Sequence, residues 1–359
     1  MKKLAALAFL IALGSARGVI LLDTGDPTAN TTAPGGSLVN SGWQYEGTWG
    51  VFLGTPIAPH FFISAAHIGR AGSNFTFQGS TYTIIRSFSL ANSDLLIWQV
   101  KETFPSFAPL YTTNNEIGRH LVVIGRGTQR GIGIYLNGTL RGWDWGMDDN
   151  VERWGENDVA SIVSYYGPDL LYATFDEHSL PIPIDHPNES HLSRGDSGGA
   201  IFINDSNDSL WKLAGINYSV DDLYTAPDPN TVFDAAIFDA RGFYTYTGTT
   251  FTQISGSSPV PTGFYCSRIS SELTWICSVI ADPQLGREGN FLTFTYSKLI
   301  APSTDITYAV EQSSDLVSWT TATTQDEVVS TSGDLEIVKA KIDISAPTKL
   351  FVRLRVTRP

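Results

Sequence analysis

The chain has 359 residues, 42% of them hydrophobic and 16% charged, with a formal net charge of −13. That is length enough for two globular domains, and hydrophobic content enough for real cores. So acidic a surface repels nucleic acid and anionic lipid headgroups, which removes both from the expected partners.

Lys2 and Lys3 precede an apolar run from Leu4 to Leu13 and the small residues Gly14-Ser15-Ala16. A charged start, a short apolar core and a small-residue end predict a secretory signal peptide over residues 1–16. No later stretch is long and apolar enough for a membrane anchor. The expectation is a soluble protein that is secreted, periplasmic or at the cell surface, with no membrane insertion. Short runs of Val, Ile, Thr, Tyr and Phe, bounded by Gly, Pro, Asn and Ser, then recur to the end of the chain. They predict strands throughout and an all-β protein.

Three islands stand out in chain order. The strand Phe61-Phe62-Ile63 runs into Ser64-Ala65-Ala66-His67, whose small residues allow a tight turn and leave His67 at the strand end. Asp94 enters the apolar run Leu95-Leu96-Ile97-Trp98, where a carboxylate has to be hydrogen-bonded because an unpaired buried charge is very costly. Gly195-Asp196-Ser197-Gly198-Gly199 lies between a polar loop and the strand Ala200-Ile201-Phe202. Each is weak alone. Together, in the order His, Asp, Ser, they carry the chain order of one class of catalytic triad.

On these residues the protease region, 17–254, resembles the chymotrypsin/trypsin-like serine proteases. Arg119–Gly127 and Trp211–Ser219 are similar to the start of that family's second barrel and to the strand after its nucleophile. The resemblance implies two six-stranded β-barrels with the site between them, and protein or peptide substrates. A serine hydroxyl needs an adjacent base, which assigns His67 as base and then acid, and Asp94 as its orienter. The backbone amides of Gly195 and Ser197 would form the oxyanion hole. His191, six residues before the nucleophile, falls at the family's primary-pocket floor, and Tyr218, Ser219 and Val220 on the strand that pairs with substrate. His191 is not the aspartate that selects Arg and Lys, and Val220 would narrow the pocket, so non-tryptic specificity is expected. The family's disulfides and its Ile-Val-Gly-Gly start are absent, and Asp196 needs either a freed N-terminus near Arg17 or an internal partner. The competing readings are an inactive protease-fold binding or adhesion protein, and an esterase using the same triad.

Other features read as structure. Arg141–Asn157, rich in tryptophan, is expected to pack over the second barrel. Asn204–Ser209 reads as a hairpin loop, and Asn217 opens an Asn-Tyr-Ser sequon. No Cys/His zinc pattern or phosphate loop appears, Phe175–Ser179 is too isolated for a metal site, and the triad chemistry requires no cofactor. The small, proline-containing stretch 255–263 reads as a linker to a C-terminal antiparallel β-sandwich, residues 264–359. Cys266 and Cys277 can form one disulfide across a hairpin there, two free thiols being the alternative.

Overall fold

Phe62 and its neighbours Phe61 and Ile63 are all buried, yet they enter different cores. A strand sends successive side chains to opposite faces, so an apolar run without polar breaks must be covered on both sides. In a computed structural model of the chain, described over residues 18–148, 150–164, 167–177, 186–300, 305–345 and 349–358, this is how the fold is built. The expected signal peptide lies outside the described residues.

Six strands close the first barrel: β1 (Gly47–Trp49), β2 (Phe52–Ala58), β3 (Phe61–Ala65), β4 (Asn74–Phe77), β5 (Ser80–Ser89) and β6 (Leu95–Val100). Its interior is aromatic: Trp49, Phe62, Phe75, Phe77, Trp98 and Phe104. Each such side chain taken from water contributes about 1.5–3 kcal/mol.

The second barrel uses β7 (His120–Gly125), β10 (Arg153–Asp158), β11 (Ser161–Ser164), β12 (Asp169–Thr174), β13 (Ala200–Asp205), β14 (Leu210–Val220) and β15 (Gly263–Arg268). They pair in the order β10-β7-β13-β14-β15-β12-β11. The two ends of that order, β10 and β11, are successive parts of one run broken only at Val159-Ala160. The run pairs first with β7 and then with β12, and Asn157 Nδ2 donates to Thr174 O across the change of partner at 2.7 Å. Seven paired segments are thus six strands around a barrel. Leu121, Val123, Ile201, Ile203 and Phe264 point inward, while Val122, Ile124, Phe202 and Leu213 join Phe61 and Ile63 in a layer shared by both barrels.

A long hairpin, β8 (Thr128–Leu136) and β9 (Thr139–Asp148), extends from the second barrel and takes up Ala235–Ile237 on its other edge. Trp143 packs there on Phe175 and Phe238 beneath the Arg130 guanidinium, and Trp154 enters the shared layer. The tryptophan-rich stretch therefore packs, as its composition suggests.

Two expectations about the C-terminal part are corrected. The boundary at 255–263 is misplaced: β15 pairs with both β14 and β12, and Ala240 N donates to Val260 O. The chain leaves the second barrel only after helix α1 (Leu273–Ile280), which buries Leu273, Ile276, Cys277 and Ile280 in the shared layer. The hairpin disulfide is not formed: both cysteines are free and buried. Cys266 lies inside the second barrel and Cys277 on the helix outside it, so the barrel wall separates the sulfurs. Burial pushes the Cys277 thiol up to about 11 and the Cys266 thiol higher still.

Beyond the helix, β16 (Gln284–Glu288), β17 (Phe291–Leu299), β20 (Gln325–Ser332) and β21 (Leu335–Asp343) form one sheet. The other holds β18 (Thr307–Ser313), β19 (Thr320–Thr321) and β22 (Phe351–Thr357). Phe294, Tyr296, Val310, Val338 and Ile342 fill the space between them with Val352 and Leu354. Arg353 and Arg355 face outward onto Glu311, and the Arg353 guanidinium covers Trp319.

Candidate active site

Register brings the first two side chains together. β3 and β6 are antiparallel neighbours with Ala65 opposite Leu95, so the residues just beyond, His67 and Asp94, meet at the barrel rim. Ala66 N donates to Asp94 O at 2.5 Å and His67 N to Asp94 Oδ1 at 2.8 Å. The other carboxylate oxygen, Oδ2, lies 2.8 Å from His67 Nδ1. Ser197 comes from the second barrel, in the turn before β13, and its Oγ is 2.8 Å from His67 Nε2. The Asp94 side chain is 12% exposed and the His67 ring 38%. A serine hydroxyl in line with an imidazole that is itself held by a carboxylate can lose its proton as it attacks.

The turn carrying Ser197 is shaped by its glycines. Gly195 has φ +93° and Gly198 φ +82°, a region that L side chains rarely adopt. A Cβ on Gly198 would lie 2.3 Å from Ser64 Oγ and 2.9 Å from Leu53 O. Gly198 N donates to Asn217 O and Gly199 N to Asp196 O, whereas the amides of Gly195 and Ser197 have no protein acceptor among the described residues. Two unfulfilled amides beside a serine hydroxyl are suited to an oxygen that gains negative charge.

Asp196 is 1% exposed and finds internal partners. Its Oδ1 accepts from Gly127 N at 2.7 Å and Val19 N at 3.4 Å; its Oδ2 accepts from Ser193 N and Ser193 Oγ. Burial outweighs these donors and raises its pKa to about 6. Asn217 braces the same turn from below, donating from Nδ2 to Ile124 O and Asp196 O. In sequence Asn217 is visible only as a sequon, yet it is 1% exposed and its amide is engaged.

Asp196 belongs to a set of buried carboxyls. Burial raises Glu152 to about 7 and holds Glu46 and Glu189 well above the usual carboxylate range. Through these four carboxyls the folded chain binds more protons than the unfolded chain from about pH 4 to about pH 7. They outweigh the opposite contribution of the buried His191, so stability should fall as pH rises through that window. Urea unfolding midpoints at about pH 5 and about pH 8 check this: the lower value is expected at the higher pH, and the reverse order would contradict it.

A cavity of about 270 Å³ opens beside the triad. His67, Asp94, Tyr218, Asp169, Arg268 and Glu272 are among the residues that line it. The Tyr218 ring stands edge-on to His67 at 5.8 Å, and Arg268 Nη1 is 3.1 Å from Asp169. Of the four residues expected to set specificity, only Tyr218 lines this cavity. Ser219 is exposed beside it on β14, and Val220 packs against the second-barrel core. His191 is fully buried between Phe175 and Phe264, with Nε2 3.4 Å from Thr262 Oγ1, and burial lowers its pKa.

No family model and no curated protein matches the chain. Among solved structures it is similar to neuropsin, a serine protease expressed in the limbic system of mouse brain, at 13% identity and a TM-score of 0.37, over 66% of this chain and 95% of that one. An inactive form of an alanine mutant of Rv3671c from M. tuberculosis matches at 10% identity and a TM-score of 0.38, over 71% and 98%. The secreted serine protease VesC from Vibrio cholerae matches at 12% identity and a TM-score of 0.38, over 90% of this chain and 64% of that one. Among the described residues, no helix is long and apolar enough to cross a membrane.

Proposed function

We propose that the chain is a secreted serine endopeptidase that hydrolyses peptide bonds through an acyl-enzyme on Ser197. The observation that carries this is the unbroken relay of 2.8 Å contacts from Asp94 through His67 to Ser197. Ser197 Oγ attacks the scissile carbonyl while His67 Nε2 takes its proton. Asp94 keeps the remaining imidazole proton on Nδ1 and stabilises the imidazolium. The carbonyl oxygen, now negative, is held by Gly195 N and Ser197 N. His67 then protonates the leaving amine, and water completes the cycle by the same route.

The edge of β14 supports a peptide as substrate. Beyond Ile216 this strand pairs only with β15, so the other edge of Tyr218–Val220 has no strand partner among the described residues. An extended peptide adds there by main-chain hydrogen bonds, which suits an endopeptidase better than an esterase. Non-tryptic specificity remains our reading, and it rests on the sequence, which places no aspartate six residues before Ser197. Cleavage of a peptide library by the wild type and by Ser197→Ala, read by mass spectrometry, tests both points. Cuts that vanish in the variant and are not dominated by Arg or Lys are expected. Ester hydrolysis without peptide cleavage would overturn the endopeptidase reading, and an Arg/Lys-dominated profile the specificity.

A further inference from the structure

Outside the cleft, the second barrel carries a group of side chains that this chemistry does not use. His120 opens β7, and Asp158 lies directly opposite it on β10, with Glu156 two residues away on the same face. His186 approaches from the segment that leads to Ser193 and the nucleophile turn. The two imidazoles stack at 4.3 Å and 11°, with Trp211 edge-on behind His120.

We propose that His120, Glu156 and His186 form a binding site for a divalent transition ion of the zinc class. One ligand atom from each residue lies within 4.8 Å of the others. Glu156 Oε1 is 3.0 Å from His120 Nε2 and 4.0 Å from His186 Nδ1. The two distances to Glu156 bracket the roughly 3.3 Å edge of a tetrahedron with zinc–ligand bonds of about 2.0 Å, and one imidazole turns out of the stack to aim its in-plane lone pair at the shared ion. Two imidazoles and a carboxylate are a zinc-type donor set, not the all-oxygen set that calcium or magnesium takes.

The surroundings suit that role. Both Nε2 atoms are buried and lie near a carboxylate oxygen, but off the line of a hydrogen bond. A bound ion would take the His120 Nε2 lone pair. Asn188 Nδ2 donates to Glu156 Oε2 at 2.6 Å, which occupies that oxygen and leaves Oε1 for the ion. Asp158 Oδ1 lies 3.2 Å from His186 Nε2, while Nδ1 is the His186 nitrogen 4.0 Å from Glu156 Oε1 and the one offered to the ion. A fourth position remains for water. Such an ion would clamp the start of the segment 186–197 to the barrel wall, away from the triad. The three residues are far apart in sequence and match no spaced zinc motif; the β7–β10 register brings His120 and Glu156 together, and the tertiary fold adds His186.

The test loads the full chain carrying Ser197→Ala, which prevents self-digestion, with Zn²⁺. Excess is removed by desalting and zinc is counted by elemental mass spectrometry. One zinc per chain should be retained, a hundredfold excess of Ca²⁺ should not displace it, and His120→Gln/His186→Gln should cut retention at least tenfold. Glu156→Gln keeps the side chain's size and the Asn188 contact, and should show the same loss if the double variant does not fold. Absence of retained zinc overturns the proposal. So does undiminished retention in the variants, which would move the ion to His67 and Asp94. Because peptide cleavage plays no part in the readout, failure here leaves the protease reading untouched.

Discussion

Ser197→Ala and His67→Ala should each lower kcat on a cleaved peptide by about 10⁶-fold, and the double variant should lose no more than either alone. The reason is the 2.8 Å contact between His67 Nε2 and Ser197 Oγ, which makes nucleophile and base one device. Without the imidazole the hydroxyl has no acceptor for its proton, and without the hydroxyl the imidazole has nothing to activate. The remaining rate should come from the amides of Gly195 and Ser197 and from substrate held along β14. Stopped assays on the three variants check this; multiplicative losses would mean that the two residues act independently.

Asp94→Asn should lower kcat by about 10⁴-fold at neutral pH, with little change in KM. Asp94 uses both oxygens, Oδ1 on the His67 backbone amide and Oδ2 on Nδ1. An asparagine that keeps its carbonyl on the backbone amide presents its NH₂ group to Nδ1. The imidazole proton is then driven to Nε2, where it faces Ser197 and removes the lone pair that accepts the serine proton. Fold and cleft are unchanged by that exchange, so the loss belongs in kcat. A rise in KM with kcat preserved would place Asp94 in substrate binding instead.

The parts legible in the sequence were those written in local pattern. Phe351–Val356 alternates in sequence as a strand with one buried face does, and in the last sandwich strand Val352 and Leu354 enter the core while Arg353 and Arg355 face out to Glu311. The apolar strand Phe61–Ile63 and the glycines around Ser197 are legible for the same reason. What could not be read was pairing across distance. Leu273–Ile280 looks like a strand because of its β-branched residues, and becomes a helix because its apolar side fits the layer between the barrels. The strand Gln325–Ser332 is exposed along its whole length, so it has no buried face to betray it. The misplaced linker shares that cause: Gly263–Arg268 joins β12 and β14 through partners that lie far away in the sequence. His191 looked like a pocket residue by its distance from Ser197, and is instead sealed between two phenylalanines. Ser193 carries no motif and Asn217 only a sequon, which says nothing of how the two hold Asp196 in place.

The central claim is that His67 makes Ser197 an activated nucleophile, and labelling with a fluorophosphonate tests it most directly. The folded chain should take up one phosphonyl group, mapped by peptide mass spectrometry to the peptide bearing Ser197, and lose that uptake in Ser197→Ala and in His67→Ala. A folded, processed chain that stays unlabelled, or that labels at another residue, would contradict it.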